Sequence, residues 1–172
     1  VKNFVQNDEV SELILMSDKT NEPKQLDFDQ KEKIKVKECW EFNSYTTFFS
    51  IIKAARQEKP DVILFNLQFV KFGDKKIPSA LGLLLPMFLR LFGFKTVVLL
   101  HNILEQVDLE KAGFTESKIM QTIYNFIGTN ITRCLLKANK VAVTIHKYVD
   151  ILNAKYKTKN VILIPHGTFE TV

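Results

Sequence analysis

Short, unbroken aliphatic runs, spaced by segments of helical period, constrain this chain more than any other feature. They fall at residues 62–66, 96–101, 141–145 and 161–164, with two further strand-like segments at 13–16 and 34–40. A strand with one wet face alternates polar and apolar residues, whereas a strand covered on both faces reads as a continuous apolar run. The four runs therefore predict a parallel sheet covered on both sides. Helical spacing fills the gaps at 45–59, 79–92, 115–138 and 147–156. The clearest of these opens at Thr115, an N-cap after Gly113 and Phe114. It repeats Ile119, Ile123, Phe126, Ile127, Ile131, Cys134, Leu135 and Ala138 at intervals of three and four, which predicts one buried face. Strand and helix alternate throughout, as right-handed βαβ units require, so the expected fold class is α/β, a Rossmann-like, doubly wound and mostly parallel sheet.

The balance of 46% hydrophobic and 25% charged residues is that of a folded chain, and 172 residues suit one domain. The formal charge of +5 comes from dispersed lysines, with arginine only at 56, 90 and 133. Nucleic acid binding calls for a concentrated basic stripe with stacking aromatics, so no nucleic acid partner is expected. The lysines read mainly as a solvated basic surface, and such a surface suits an anionic membrane leaflet better than a nucleic acid. Residues 69–94 carry Phe69, Phe72, Phe88, Phe92 and Phe94 among Lys71, Lys75, Lys76, Arg90 and Lys95. This stretch is the expected place of a peripheral membrane contact, the competing reading being core phenylalanines under a lysine coat. The most apolar segment, 77–89, is broken by Pro78 and Pro86 and followed by Arg90, too short for a bilayer core of about 30 Å. Cys39 and Cys134 match no paired metal-ligand spacing and accompany no secretory pattern, so reduced structural cysteines, a cytoplasmic location and no metal site are expected.

Ligands of open parallel sheets sit beyond the carboxyl ends of the strands. The residues there are Ser17 and Asp18, then 41–44, 68–74, His101 and Asn102, His146, and His166 with Gly167. All three histidines of the chain fall at such ends. His101 is the best placed, because Leu99-Leu100-His101-Asn102 delivers an imidazole where a buried strand opens onto a cleft. An imidazole can donate to a sugar hydroxyl or phosphate oxygen while the protein fixes its other nitrogen. The structural alternative is a hydrogen bond that fixes the loop. His101 is thus the candidate catalytic residue, and Asn102, His146, His166 and Gly167 are candidates for binding substrate. No nucleophile elbow, zinc-protease helix, P-loop or dinucleotide fingerprint is present. Glu105, Asp108 and Glu110 read as solvated loop acids without a role.

Three pieces in order resemble the N-terminal domain of group 1, or family four, retaining glycosyltransferases. Lys59-Pro60-Asp61-Val62-Ile63 resembles that family's entry to a strand, and Thr96-Val97-Val98-Leu99-Leu100-His101-Asn102 its strand ending in histidine. The segment from Ala138-Asn139-Lys140 through Val161-Ile162-Leu163-Ile164-Pro165-His166-Gly167 resembles the piece that closes its first domain. The similarity as a whole covers residues 13–169. His146 stands where the family usually has serine, and His166 where asparagine is commoner.

The resemblance implies one half of a GT-B fold. The chain 1–172 would be the acceptor-side, N-terminal domain, lacking the opening strand and glycine-rich loop, with the donor-binding C-terminal domain absent. Residues 1–12 read as a helix end entering a strand, and the Pro and Gly near the other terminus read as the start of a linker. The activity implied is transfer of a sugar from a UDP- or GDP-sugar to a glycan or lipid-linked acceptor, in cell-surface polysaccharide biosynthesis at the inner face of the membrane. The nucleotide-sugar would be substrate, no cofactor would be bound by this domain, and the chain alone would be inactive. Two other classes compete: a nucleotide-sugar epimerase of the same architecture, and a non-catalytic flavodoxin-like binding domain. Asp61 at a strand start counts against the last.

Overall fold

A computed structural model describes residues 4, 6–19, 33–68, 71–103 and 118–165. Among them the strands are β1 (Leu13–Asp18), β2 (Ile34–Trp40), β3 (Ile63–Leu67), β4 (Thr96–Leu100), β5 (Lys140–Val143) and β6 (Val161–Leu163). The helices are α1 (Thr47–Glu58), α2 (Lys76–Leu91), α3 (Lys118–Leu135) and α4 (His146–Tyr156). All paired strands are parallel and the fold is Rossmann-like α/β, as the alternation of runs predicts. The strands form two ladders, β1–β2 and β3–β4–β5–β6, with no hydrogen-bonded pairing between them among the described residues.

The register aligns the four-stranded sheet so that Phe65, Val98 and Val141 form one row and Leu67, Leu100 and Val143 the next. These six side chains are buried and join Ile51, Ile52 and Ala55 of α1, Leu83, Leu85 and Leu89 of α2, Leu135 of α3 and Leu152 of α4 in one core. Right-handed crossovers advancing in one direction put their helices on the same face, which is why α2, α3 and α4 share it. Each fully buried aliphatic side chain contributes about 1.5–3 kcal/mol to holding that face closed.

The opposite face departs from the expectation of a sheet covered on both sides. Leu64 and Asn66 are exposed there, Val97 and Leu99 beside them are half-buried, and Ile162 on β6 is exposed. Because the helices described all serve the first face, the continuous aliphatic runs are more apolar than their present burial demands.

Helix α3 departs in the same direction. Its C-terminal residues Ile131, Leu135 and, just beyond, Ala138 pack on the core as expected. Ile119 and Phe126, however, are 74% and 70% exposed, and Ile123 and Ile127 are also exposed. The stripe of period 3.6 is real, but only its second half reaches the sheet. The expected cap, Thr115, lies outside the described residues.

Helix α2 starts earlier than expected, at Lys76, because Pro78 sits in the first turn, where no backbone N–H is needed. Pro86 inside the helix removes the N–H that would serve the carbonyl of Gly82. Gly82 itself makes room for a ring: a Cβ there would lie 2.1 Å from Cδ2 of Phe72. Phe72 packs on Trp40 at the end of β2, with ring centroids 5.4 Å apart. Phe88 meets Phe48 edge to face at 5.2 Å. Of the phenylalanines in residues 69–94, Phe72 is thus core and Phe88 packs on α1, while Phe92 is exposed and carries the Arg56 guanidinium over its ring at 4.8 Å. Phe69 lies outside the described residues.

Candidate functional site

Because the strands are parallel and in register, Leu67, Leu100, Val143 and Leu163 finish at one level, and the residues after them line one edge of the sheet. His101 directly follows β4 there and is half-buried. Its Nε2 meets Oδ1 of Asn66 on β3 at 2.6 Å. A carboxamide oxygen only accepts, so Nε2 is the protonated nitrogen, and in the neutral ring Nδ1 is then an acceptor. Among the described residues, the protein thus holds one ring nitrogen from the neighbouring strand β3. Asn102 is exposed, and Ile103 turns back into the core at 2% exposure, which pins the loop just after the histidine.

His146 opens α4 after β5, where its Nδ1 lies 3.2 Å from Oδ2 of Asp150 one turn on. Both side chains are largely exposed, so the pair is a local helix contact, and the structure does not join it to the His101–Asn66 pair. His166 and Gly167 lie outside the described residues. Two buried hydroxyls, Oγ of Ser17 at the end of β1 and Oγ1 of Thr144 just past β5, have no hydrogen-bond partner among the described residues. Buried polar groups are nearly always satisfied, so these mark the same edge as one where polar contacts are still to be made.

Two further loops at this edge are tied together by Asn43, which adopts the left-handed conformation at φ 62°. Its backbone N–H donates to the carbonyl of Phe72 at 3.0 Å, its Nδ2 to Asp74 at 2.7 Å, and its Oδ1 accepts from the N–H of Lys75 at 3.0 Å. That last bond caps α2, which has no cap from its own N-cap side chain. At the far edge of the sheet, Oδ1 of Asn139 accepts from the N–H of Thr96 at 2.9 Å. Nδ2 of Asn160 donates to the carbonyls of Leu136 and Ala138 at 2.9 and 2.8 Å. The polar residues of the closing motif are thus staples that set where β4 and β5 begin.

A cleft of about 490 Å³ lies at that far end, lined by Arg133, Lys137, Lys155 and Lys157 among others. Its cations stand at the C-termini of α3 and α4, where they complement the negative ends of the helix dipoles. It is remote from the strand ends that carry the histidines, and the strand-end location is the better candidate on chemical grounds. No group of three or more His, Cys, Asp or Glu placed to hold a metal occurs among the described residues.

Asn66 is the site residue the reading of strand ends passed over. Its signal was a lone carboxamide in the otherwise aliphatic run Ile63-Leu64-Phe65-Asn66-Leu67, one position before the strand closes. Compared with known proteins, the chain matches no family model, no curated protein and no solved structure.

Proposed function

We propose that the chain is the acceptor-side half of a two-domain retaining glycosyltransferase of GT-B architecture, akin to the group 1 family its motifs resemble. It would move a sugar from a UDP- or GDP-sugar to a glycan or lipid-linked acceptor, in polysaccharide biosynthesis on the cytoplasmic side of the membrane. The strand order is the observation that carries this reading. In a doubly wound sheet of order 3-2-1-4-5-6, β2 and β1 correspond to the third and second positions and β3, β4 and β5 to the fourth, fifth and sixth. The first position would then fall between β1 and β3, each of which has one border without a paired strand among the described residues. That is where the opening strand and its glycine-rich loop belong in the family. His101, held by Asn66 at the strand ends beside this position, is then suited to line the sugar pocket.

Retaining transfer passes through an oxocarbenium-like state, with negative charge growing on the leaving phosphate. Donor groups and a dry cleft stabilise that charge, and the second domain would supply most of them. The isolated chain is accordingly expected to be inactive. The test uses the full-length enzyme, assayed with UDP- and GDP-sugars. His101→Ala should lower turnover about a hundredfold at an unchanged melting temperature, the loss typical of one well-placed polar contact in the transition state. A lower melting temperature with near-normal turnover would instead make His101 a loop anchor, and the absence of any glycosyl product would remove the reading altogether.

A further inference from the structure

The cleft at the far end of the sheet gathers positive charge from two helices. Arg133 and Lys137 line it from the end of α3, and Lys155 and Lys157 from the end of α4, beside Leu136 and Tyr156, which pack on the core. Residues 117–169 carry eight lysines and arginines and one acid, Asp150, which His146 engages at the opposite end of α4. At this end of the four-stranded sheet, Asp61 precedes β3, on the border opposite β6, and Glu58 is held by Lys35 and Lys37. Arg133, Lys137 and Lys157 form no ion pair among the described residues, and Lys155 donates to Oγ1 of Thr129 at 3.3 Å. Nor are these side chains needed as caps. Asn160 and Arg90 supply donors to the carbonyls of Leu136, Lys137 and Ala138 at the end of α3, and the backbone N–H of Lys157 serves the carbonyl of Asn153 in α4. Each helix end brings about −0.5 of an elementary charge, so the two offset roughly one of the four positive charges and leave about three.

We infer that this cleft is a binding site for a soluble anion with two linked phosphoryl groups, a diphosphate. A phosphoryl group brings about −1.5 to −2 charges near neutral pH, so a linked pair matches the charge left uncompensated. Arginine offers a phosphate two parallel N–H donors, and the lysine ammoniums act around it as point charges on flexible stems. A volume of about 490 Å³ is that of a cleft able to enclose a small ligand. A lipid headgroup is the poorer source of the same chemistry, because an inserting surface needs apolar side chains beside its cations. The exposed apolar stripe of α3 is centred on Ile123, about 15 Å of helix before Arg133. The cleft lies at the end of the sheet opposite His101, so the inference does not rest on any catalytic role for that residue.

Isothermal titration calorimetry of the full chain with inorganic pyrophosphate tests the inference. One site is expected at low salt, at least about tenfold tighter than for orthophosphate and weakening as salt is raised. Lys157 adopts the left-handed conformation at φ 50°, which glycine takes without steric cost. Lys157→Gly therefore removes one cation from the cleft with the melting temperature unchanged or higher, and pyrophosphate binding should fall about tenfold. Lys59→Gly makes the same change at φ 48° at the end of α1, away from the cleft, and should leave binding unaltered. Several outcomes overturn the inference: no binding by the unsubstituted chain, equal affinity for pyrophosphate, orthophosphate and sulfate, undiminished binding by Lys157→Gly, or an equal loss in the two glycine variants. Sedimentation with phosphatidic acid vesicles by a chain that ignores pyrophosphate overturns it as well, since the phosphate recognised would then be a lipid's.

Discussion

At the scale of single residues, the position of His101 was legible in the sequence and its anchor was not. A histidine closing an aliphatic run marks a strand end, but which neighbouring strand would hold it depends on register, and register is a long-range property. The Asn66 carboxamide fixes the proton on Nε2, so Asn66→Leu should release that choice. Nitrogen-15 NMR of the imidazole is expected to show the Nε2–H tautomer in the unaltered chain and a mixture of tautomers in the variant. An unaltered tautomer in Asn66→Leu would mean that another group orients the ring. Cys39 shows a different kind of residue effect. Burial pushes its thiol up from the ordinary range, against the opposing pull of Lys37 and Lys19, which fits the expectation of a structural cysteine rather than a nucleophile.

At the scale of elements, all six expected strands and four expected helices are present, because each rests on local pattern: period two or unbroken apolar runs for strands, period 3.6 for helices. What failed was which side of an element would be covered. Ile119, Ile123, Phe126 and Ile127 have the same spacing as the buried Leu135, yet spacing carries no information on where the neighbouring layer stops. The same holds for Leu64, exposed on β3 within a run as apolar as those of β4 and β5. Close approaches are equally silent in a sequence. Nothing in Ser79-Ala80-Leu81-Gly82 announces that Phe72 will lie against Gly82, but the consequence is specific. Gly82→Ala, usually a gain for helix propensity, should here destabilise by about 1–3 kcal/mol, because the new methyl would overlap a ring already wedged against Trp40. Urea unfolding of the variant gives the sign directly. A stabilised Gly82→Ala would show that Phe72 can move aside.

At the scale of the whole molecule, the two ladders share no backbone pairing among the described residues and are joined through α1 as well as through the Trp40–Phe72 and Asn43 contacts. That helix packs on β2 and on α2, and its Glu58 binds Lys35 and Lys37 of β2 at 2.6 and 2.5 Å. The bonds from Lys35 and then Lys37 hold the Glu58 carboxyl below its usual range, and the Glu58 bond in turn raises Lys35. A carboxyl whose pKa is depressed in the folded state stabilises above its unfolded pKa, and that stability is lost as pH falls through the folded value. Stability supplied by Glu58 should therefore be present at neutral pH and disappear in the acid range below the ordinary carboxylate pKa of about 4.3. Hydrogen exchange followed down that range should show the amides of β2 losing protection before those of β4 and β5. Glu58→Gln should bring the same loss at neutral pH. Simultaneous loss in both ladders would mean that α1 is not the weaker link.

The edge of β3, unpaired among the described residues, also bears on how the chain behaves in crowded solution. Its N–H of Ile63 is turned toward the carbonyl of Lys95, so the backbone groups of Leu64 and Asn66 face outward from the ladder. The borders at β2 and β6 are guarded: β2 carries Lys35 and Lys37, and β6 is three residues long with Pro165 close behind. The β3 border has neither a lysine nor a proline within the strand, and an apolar side chain stands exposed beside it. Edges of that kind recruit strands from other molecules. A strand paired along that border would therefore do more than widen the sheet: it would keep copies of the protein from sticking to one another.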